Sequence, residues 1–464
     1  MRLLTAAVLG LGLGFAPPAL AQSIQYGPFT PYGESLYTEG PGIKLGSSGL
    51  VFHPGVAAEL GYDSNVLLSN TPISAGLFRG RLHLDLATLP LQRLDAASAP
   101  KLEFRFSGLV EYRQYFAGSI DGSARQINGQ IDTALAIKPR DPLSLRLYST
   151  LISTNDARDV QSGQVAAGAN QTFDGNSVQN AFIPRIYFRF GLLGQFRPGN
   201  GPLELGLGTV FHLDYYLANS DSVMRNNQLA LNRSLGNDAN IYAQLRVLPQ
   251  TTVKLEVRST FVDYYTTGAP LPQMAPLRIT LGVNSLLLPA VGVSAYAGYA
   301  NSFAYGTAFL ASAGRESYNS FIAGAEVRLR LAAKMRLNLG WARDIADTIF
   351  ATYLADDRVY LHYDHFIWRG LAAHLRLDNY FRNYGGLADP TQLGYTGYSS
   401  DVRNDIVLNY SGELSYRALS WLEVGVNYNL IYDKTDFAFR CGAGCTQSAS
   451  FLKHAVMARL DFAY

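Results

Sequence analysis

Segment after segment of the 464-residue chain alternates apolar and polar residues one for one, with turn-forming clusters between the segments. Side chains on a strand point alternately to opposite faces, so this pattern describes strands with one apolar and one polar surface. Residues 253–262 set Val253, Leu255, Val257 and Phe261 against Lys254, Glu256, Arg258 and Thr260. Residues 229–247 keep Leu229, Leu231, Leu235, Ala239, Ile241, Ala243, Leu245 and Val247 on one parity, a register that no helix holds. The ending KHAVMARLDFAY does the same, with Val456, Ala458, Leu460, Phe462 and Tyr464 opposite Lys453, Arg459 and Asp461.

Eighteen such segments are legible, approximately at 49–61, 76–90, 100–116, 125–138, 143–154, 181–194, 202–217, 226–247, 252–264, 275–288, 292–304, 317–332, 335–346, 355–367, 371–384, 401–417, 420–434 and 450–464, with sixteen as the nearest alternative count. Connectors after even-numbered segments are mostly short and rich in turn formers, as in KPRDP (138–142), LPQT (248–251) and WRG (368–370). Those after odd-numbered segments are mostly longer and polar, as in 155–180 and 384–400. Beyond residue 22 no apolar run approaches the roughly 20 residues of a membrane helix, although 48% of the chain is hydrophobic. In lipid only helices and closed barrels satisfy every backbone group. The expected fold is therefore all-β, a transmembrane antiparallel up-and-down barrel over residues 49–464. A soluble propeller would show a repeat of about 40 residues, and the chain has none.

The start, MRLLTAAVLGLGLGFAPPALAQ, has the layout of a signal peptide over 1–21 with cleavage after Ala21, followed by a periplasmic lead over 22–48. The destination is the bacterial outer membrane. The expected partners are its lipid bilayer and the barrel assembly machinery, because Leu460, Phe462 and Tyr464 resemble the carboxy-terminal signature which that machinery recognises. Cys441 and Cys445, the only cysteines, predict a small loop disulfide, since a metal site needs more ligands than RCGAGCTQ offers. A net charge of +2 is too small to imply nucleic acid.

With the apolar parity against lipid, the polar parity lines the lumen. It carries Arg81, Asp85, Glu103, Asp132, Arg185, Glu204, Asp214, Glu256, Arg278, Glu326, His374, Asp378, Glu413, Glu423, Arg459 and Asp461 beside a cationic set. That set, Lys101, Arg105, Arg146, Arg189, Lys254, Arg258, Arg328, Arg330, Arg336 and Arg376, is expected to govern selectivity. Most of it, with Arg246, reads as a modest cationic excess around the short-turn mouth that favours anionic or polyhydroxylated solutes. The alternative is that these charges are simply paired. Trp341, Tyr363, Phe381, Tyr410, Tyr428 and Tyr432 fall on the lipid parity as girdle aromatics. For catalysis the best candidates are His362, Asp364 and His365 in HYDHF, and His212 with Asp214. No nucleophile motif accompanies them, and neither an enzyme nor a cofactor is expected.

The first strand and its loop, VFHPGVAAELGYDSNVLLSN (51–70), resemble the start of the β-barrel porins encoded in bacterial exopolysaccharide and capsule gene clusters. The resemblance is carried by a Gly-Tyr-Asp-x-Asn turn, here Gly61, Tyr62, Asp63 and Asn65. It implies an outer-membrane pore for polysaccharide export or translocation. The helical-repeat domain of some polysaccharide secretins is lacking, so periplasmic polysaccharide export proteins would be separate partners. A general diffusion porin for small anionic or sugar solutes is the alternative, and a plugged structural or adhesive barrel the second.

Overall fold

A strand that is oily on one face and charged on the other satisfies both faces in a membrane only when its sheet closes on itself, with the charges inside. The computed structural model describes residues 42–46, 50–66, 70, 72–88, 101–116, 125–137, 142–154, 185–216, 234–264, 273–305, 317–346, 351–387, 390 and 396–464. It contains eighteen long strands, from Leu50–Asp63 to Phe451–Ala463. Each pairs antiparallel with the next along the chain, as Leu50–Asp63 does with Ala75–Thr88 and Leu422–Lys434 with Phe451–Ala463. The first strand also pairs with the last, from Gly55 opposite Ala463 to Asp63 opposite Ala455, which closes the barrel. Three short segments, Ile43–Leu45, Gln273–Met274 and Ala304–Tyr305, extend the same sheet.

The count and placement agree with the alternation in the sequence, and the two rims differ as expected. At one rim, hairpins such as Leu248 to Thr251, Leu288 to Val291, Ala332 to Met335 and Leu419 to Leu422 turn over two residues each. The opposite rim carries the long connections, and two of these meet there: Gly397–Tyr398, Ala438–Gly442 and Cys445–Ser448 form a separate three-stranded sheet. The expected signal peptide and most of the lead, residues 1–41, lie outside the described residues, as do 226–233 at the start of one expected segment. Ile43–Leu45, the last part of the expected lead, pairs with Leu50–Phe52 on the edge of the first strand away from Ala75–Thr88.

The apolar parity faces outward. Val56, Leu60, Leu82, Val110, Ile127, Leu207, Ile241, Leu255, Leu281, Val426 and Leu460 are exposed along it. Exposed aromatics ring both ends: Phe196, Trp368, Tyr416, Trp421 and Tyr464 lie at the short-turn rim, and Tyr62, Tyr112, Phe116, Phe321 and Phe381 toward the long-loop rim. Such girdles mark the two interfaces of a lipid bilayer. The interior is polar: Glu59, Arg79, Arg81, Glu111, Arg113, Lys254, Asp378 and Asp461 are all buried inside the sheet.

Candidate functional site: the lumen wall and its inner mouth

Cross-strand partners share a face, so the ladder register shows which charges meet inside the barrel. Arg336 lies opposite Asp364, Asp364 opposite His374, and His374 opposite Glu413. Thr150 lies opposite Arg189, and Arg189 opposite His212. The charged residues of the polar parity accordingly stand on the lumen wall.

The ten cationic candidates divide into two groups. Arg105 pairs with Asp85 (2.9 Å), Lys254 with Glu256 (2.5 Å), Arg258 with Asp238 (2.8 Å), Arg328 with Glu326 (3.2 Å) and Arg376 with Asp364 (3.0 Å). Arg189 is buried, with its guanidinium 5.6 Å from the Tyr148 ring centroid. Arg146, Arg330 and Arg336 are exposed, as is Arg246, and none of these four forms an ion pair among the described residues. Lys101 is exposed just ahead of Leu102–Phe116. A ring of cations at the mouth is therefore the wrong picture for Arg189 and Arg258. Each sits seven residues from its strand's short-turn end, Phe196 and Thr251 respectively, near mid-height.

Several networks escaped the sequence because partners on separate strands are set by register. Arg79 and Arg81 each bridge Glu59 and Glu111, and Arg113 joins Glu111 (2.8 Å), all with side chains less than a tenth exposed. Arg459 holds Glu413 (2.6 Å), Glu423 (2.7 Å) and Asp461 (2.5 Å) together. Arg358 binds Asp378 (2.5 Å), which His362 also approaches (3.3 Å). Aromatic rings lie flat on this wall: Tyr242 covers Gly206 and Tyr360 covers Gly340, where an added Cβ would stand 2.1 and 2.2 Å from the rings. Lys254 and Arg358 stack over those two tyrosines, at 4.4 and 4.6 Å from the ring centroids.

The Gly-Tyr-Asp-x-Asn stretch is the clasp of the closing seam. Asp63 accepts the Asn65 N–H (3.0 Å) and pairs with Lys453 (2.7 Å), while the Asn65 side chain donates to the Leu452 carbonyl (3.0 Å). Gly61 lies so close to the last strand that a Cβ there would stand 1.9 Å from the Val456 carbonyl oxygen. Tyr62 faces outward and is exposed.

At the long-loop rim the cysteine hairpin is fastened to the inner wall. Cys445 is disulfide-bonded, and Cys441 is the one other cysteine in the chain. The Arg403 guanidinium lies between the Tyr384 and Phe437 rings, 4.4 and 5.6 Å from their centroids, and pairs with Asp405 at 2.6 Å. Tyr398, from the neighbouring connection, packs against Phe437 (5.2 Å) and Phe439 (6.0 Å). At the short-turn end a recess of about 310 Å3 opens in the wall, lined by Arg336, Asp364, Phe366, His374, Arg376 and Glu413 among others.

The histidines are wall residues. His362 and Asp364 face the lumen and are engaged by Asp378, Arg376 and His374, whereas His365 faces outward and contacts the Tyr363 hydroxyl. His83 lies 3.2 Å from the Ser107 hydroxyl, a contact that the sequence did not suggest. Ser107 sits in mid-strand, where the backbone N–H groups serve the ladder to both neighbours and so are not free to hold an oxyanion.

No family model and no curated protein matches the chain. Among solved structures it is similar to OpdK of Pseudomonas aeruginosa, described with vanillate, at 10% identity and a TM-score of 0.45 over 89% of this chain and 99% of that one. It is similar to OccK3 (OpdO) of the same organism at 13% identity and a TM-score of 0.42 over 93% and 99%. For OccAB4 of Acinetobacter baumannii the values are 9% and 0.44 over 89% and 98%. The closed ladder, the outward apolar parity and the two girdles are this chain's own, and they make it an integral outer-membrane β-barrel of eighteen strands.

Proposed function

We propose that the barrel is a passive channel for small polar solutes. What supports this reading is how the wall disposes of its charge. Most ion pairs join neighbours along the wall, as Arg105–Asp85, Arg258–Asp238 and Arg376–Asp364 do, so the charges lie against the sheet instead of meeting across the lumen. Among the described residues the longest reach, Arg278 to Asp344 (3.0 Å), passes over two intervening strands. Barrels of 16–18 strands are wide enough for an aqueous channel behind such a wall. The exposed guanidiniums of Arg146, Arg246, Arg330 and Arg336 then give the inner mouth a cationic excess.

Export of a polymer is the weaker reading, because the cysteine hairpin packs through Phe437 on Arg403 of the inner wall, with Tyr398 against it, at the end where a polymer would leave. Liposomes carrying the refolded protein should swell in small sugars and amino acids, ever more slowly as solute size rises, and not in dextran. Swelling that is absent, or equally fast in dextran, would contradict the reading. In cells, deletion should slow small-solute uptake and leave surface polysaccharide unchanged. Lost polysaccharide with normal uptake would point back to export.

A further inference from the structure

The recess at the inner mouth has a chemistry that the general channel does not require. Arg336, Asp364, His374 and Glu413 are successive cross-strand neighbours on four adjacent strands. At about 4.8 Å per strand they form a row roughly 14 Å long. Its groups are already engaged: Asp364 accepts from Arg376 (3.0 Å) and contacts His374 (2.8 Å), and Glu413 and Glu423 both hold Arg459. Three guanidiniums, Arg336, Arg376 and Arg417, face three carboxylates, Asp364, Glu413 and Glu423, around the recess. Two groups of the row keep unused capacity. One is the exposed Arg336 guanidinium, and the other is Glu413 Oε2, which is buried and without a hydrogen-bond partner on a side chain only 4% exposed.

Below the row lie Phe366 and Ala372, opposite one another on adjacent strands. Phe366 is 44% exposed, and its ring makes an edge contact to His374 (6.2 Å between centroids). A carboxylate could meet the exposed Arg336 guanidinium, but it has no proton to donate to Glu413 Oε2. A hydroxyl both donates and accepts, so a polyhydroxylated ring can serve guanidinium and carboxylate in turn and rest its C–H face on Phe366. The volume, about 310 Å3, lies near the lower bound for ligand recesses.

We propose that this recess is a carbohydrate subsite at the periplasmic mouth, taking a neutral sugar. The proposal rests on the lumen being a solute path, and it names one class of solute for that path. The test is titration of the refolded full-length protein in detergent micelles with maltotriose, with citrate and glycine betaine as comparison probes. A saturable isotherm for maltotriose is expected, weakened about tenfold by Phe366→Ala and by Glu413→Gln and retained by Phe366→Trp, which keeps an aromatic face. The heat-dependent gel shift of each variant reports whether its barrel is intact. Absent saturation, equal binding by intact Phe366→Ala and Glu413→Gln variants, or tighter binding of either comparison probe would overturn the assignment. The isotherm is read without a membrane potential, so a barrel that binds maltotriose but fails the swelling assay would remove the channel reading alone.

Discussion

At the scale of single residues, the closing seam is the most exposed to test. Lys453 on the last strand and Asp63 on the first form a pair with side chains 1% exposed. Removing one partner strands a buried charge, which typically costs about 3–5 kcal/mol. Lys453→Met should therefore lower the midpoint of urea unfolding in micelles, and adding Asp63→Leu should recover much of the loss. A single variant as stable as the parent would deny the clasp. This pair also shows where the sequence is silent. Alternation marks Lys453 and Asp63 as inward, but which charge each meets depends on the register of a ladder joining opposite ends of the chain. Arg459 likewise finds Glu413 beyond its immediate neighbour strand, and a list of inward charges does not predict that.

Strands and loops were more legible, because a period of two with one apolar parity has a single solution in lipid. The closing strand is held on both sides. Ala463 N–H donates to the Trp421 carbonyl, Tyr464 N–H donates to the Pro54 carbonyl, and the Phe462 ring stacks on Trp421. Deleting Phe462 to Tyr464 should sharply reduce the assembled barrel in outer membranes, and normal levels would contradict the closing role. The cysteine hairpin is tied instead by backbone bonds, from Thr396 N–H to the Arg440 carbonyl (2.7 Å) and from Ser399 N–H to that of Ala438 (2.9 Å), and by its aromatic contacts. A disulfide from Cys445 to Cys441 closes a very short ring and removes only about 2 kcal/mol of loop entropy. Replacing both cysteines with serine should leave the temperature of the gel shift almost unchanged, and collapse of the barrel would refute this. That the hairpin turns onto the inner wall was not legible, since nothing local in the sequence sends Phe437 to Arg403.

For the whole molecule, an open lumen takes the net field at its inner mouth from a few cations that form no ion pair among the described residues. The sequence suggested the sign, but it counted Arg189 and Arg258 at the mouth and could not separate paired from unpaired guanidiniums. With the partners known, Arg146, Arg246, Arg330 and Arg336 are the ones to change, since Arg328 is neutralised by Glu326. The direct measurement is ion current through the refolded protein in a planar bilayer under a salt gradient. Stepwise conductance should appear with a mild anion preference that fades as salt rises and the Debye length falls from about 10 Å at 0.1 M to about 3 Å at 1 M. Changing those four arginines together to glutamate should reverse the preference while the gel shift persists. A barrel that inserts without conducting, or whose preference ignores both salt and the four substitutions, would contradict the account.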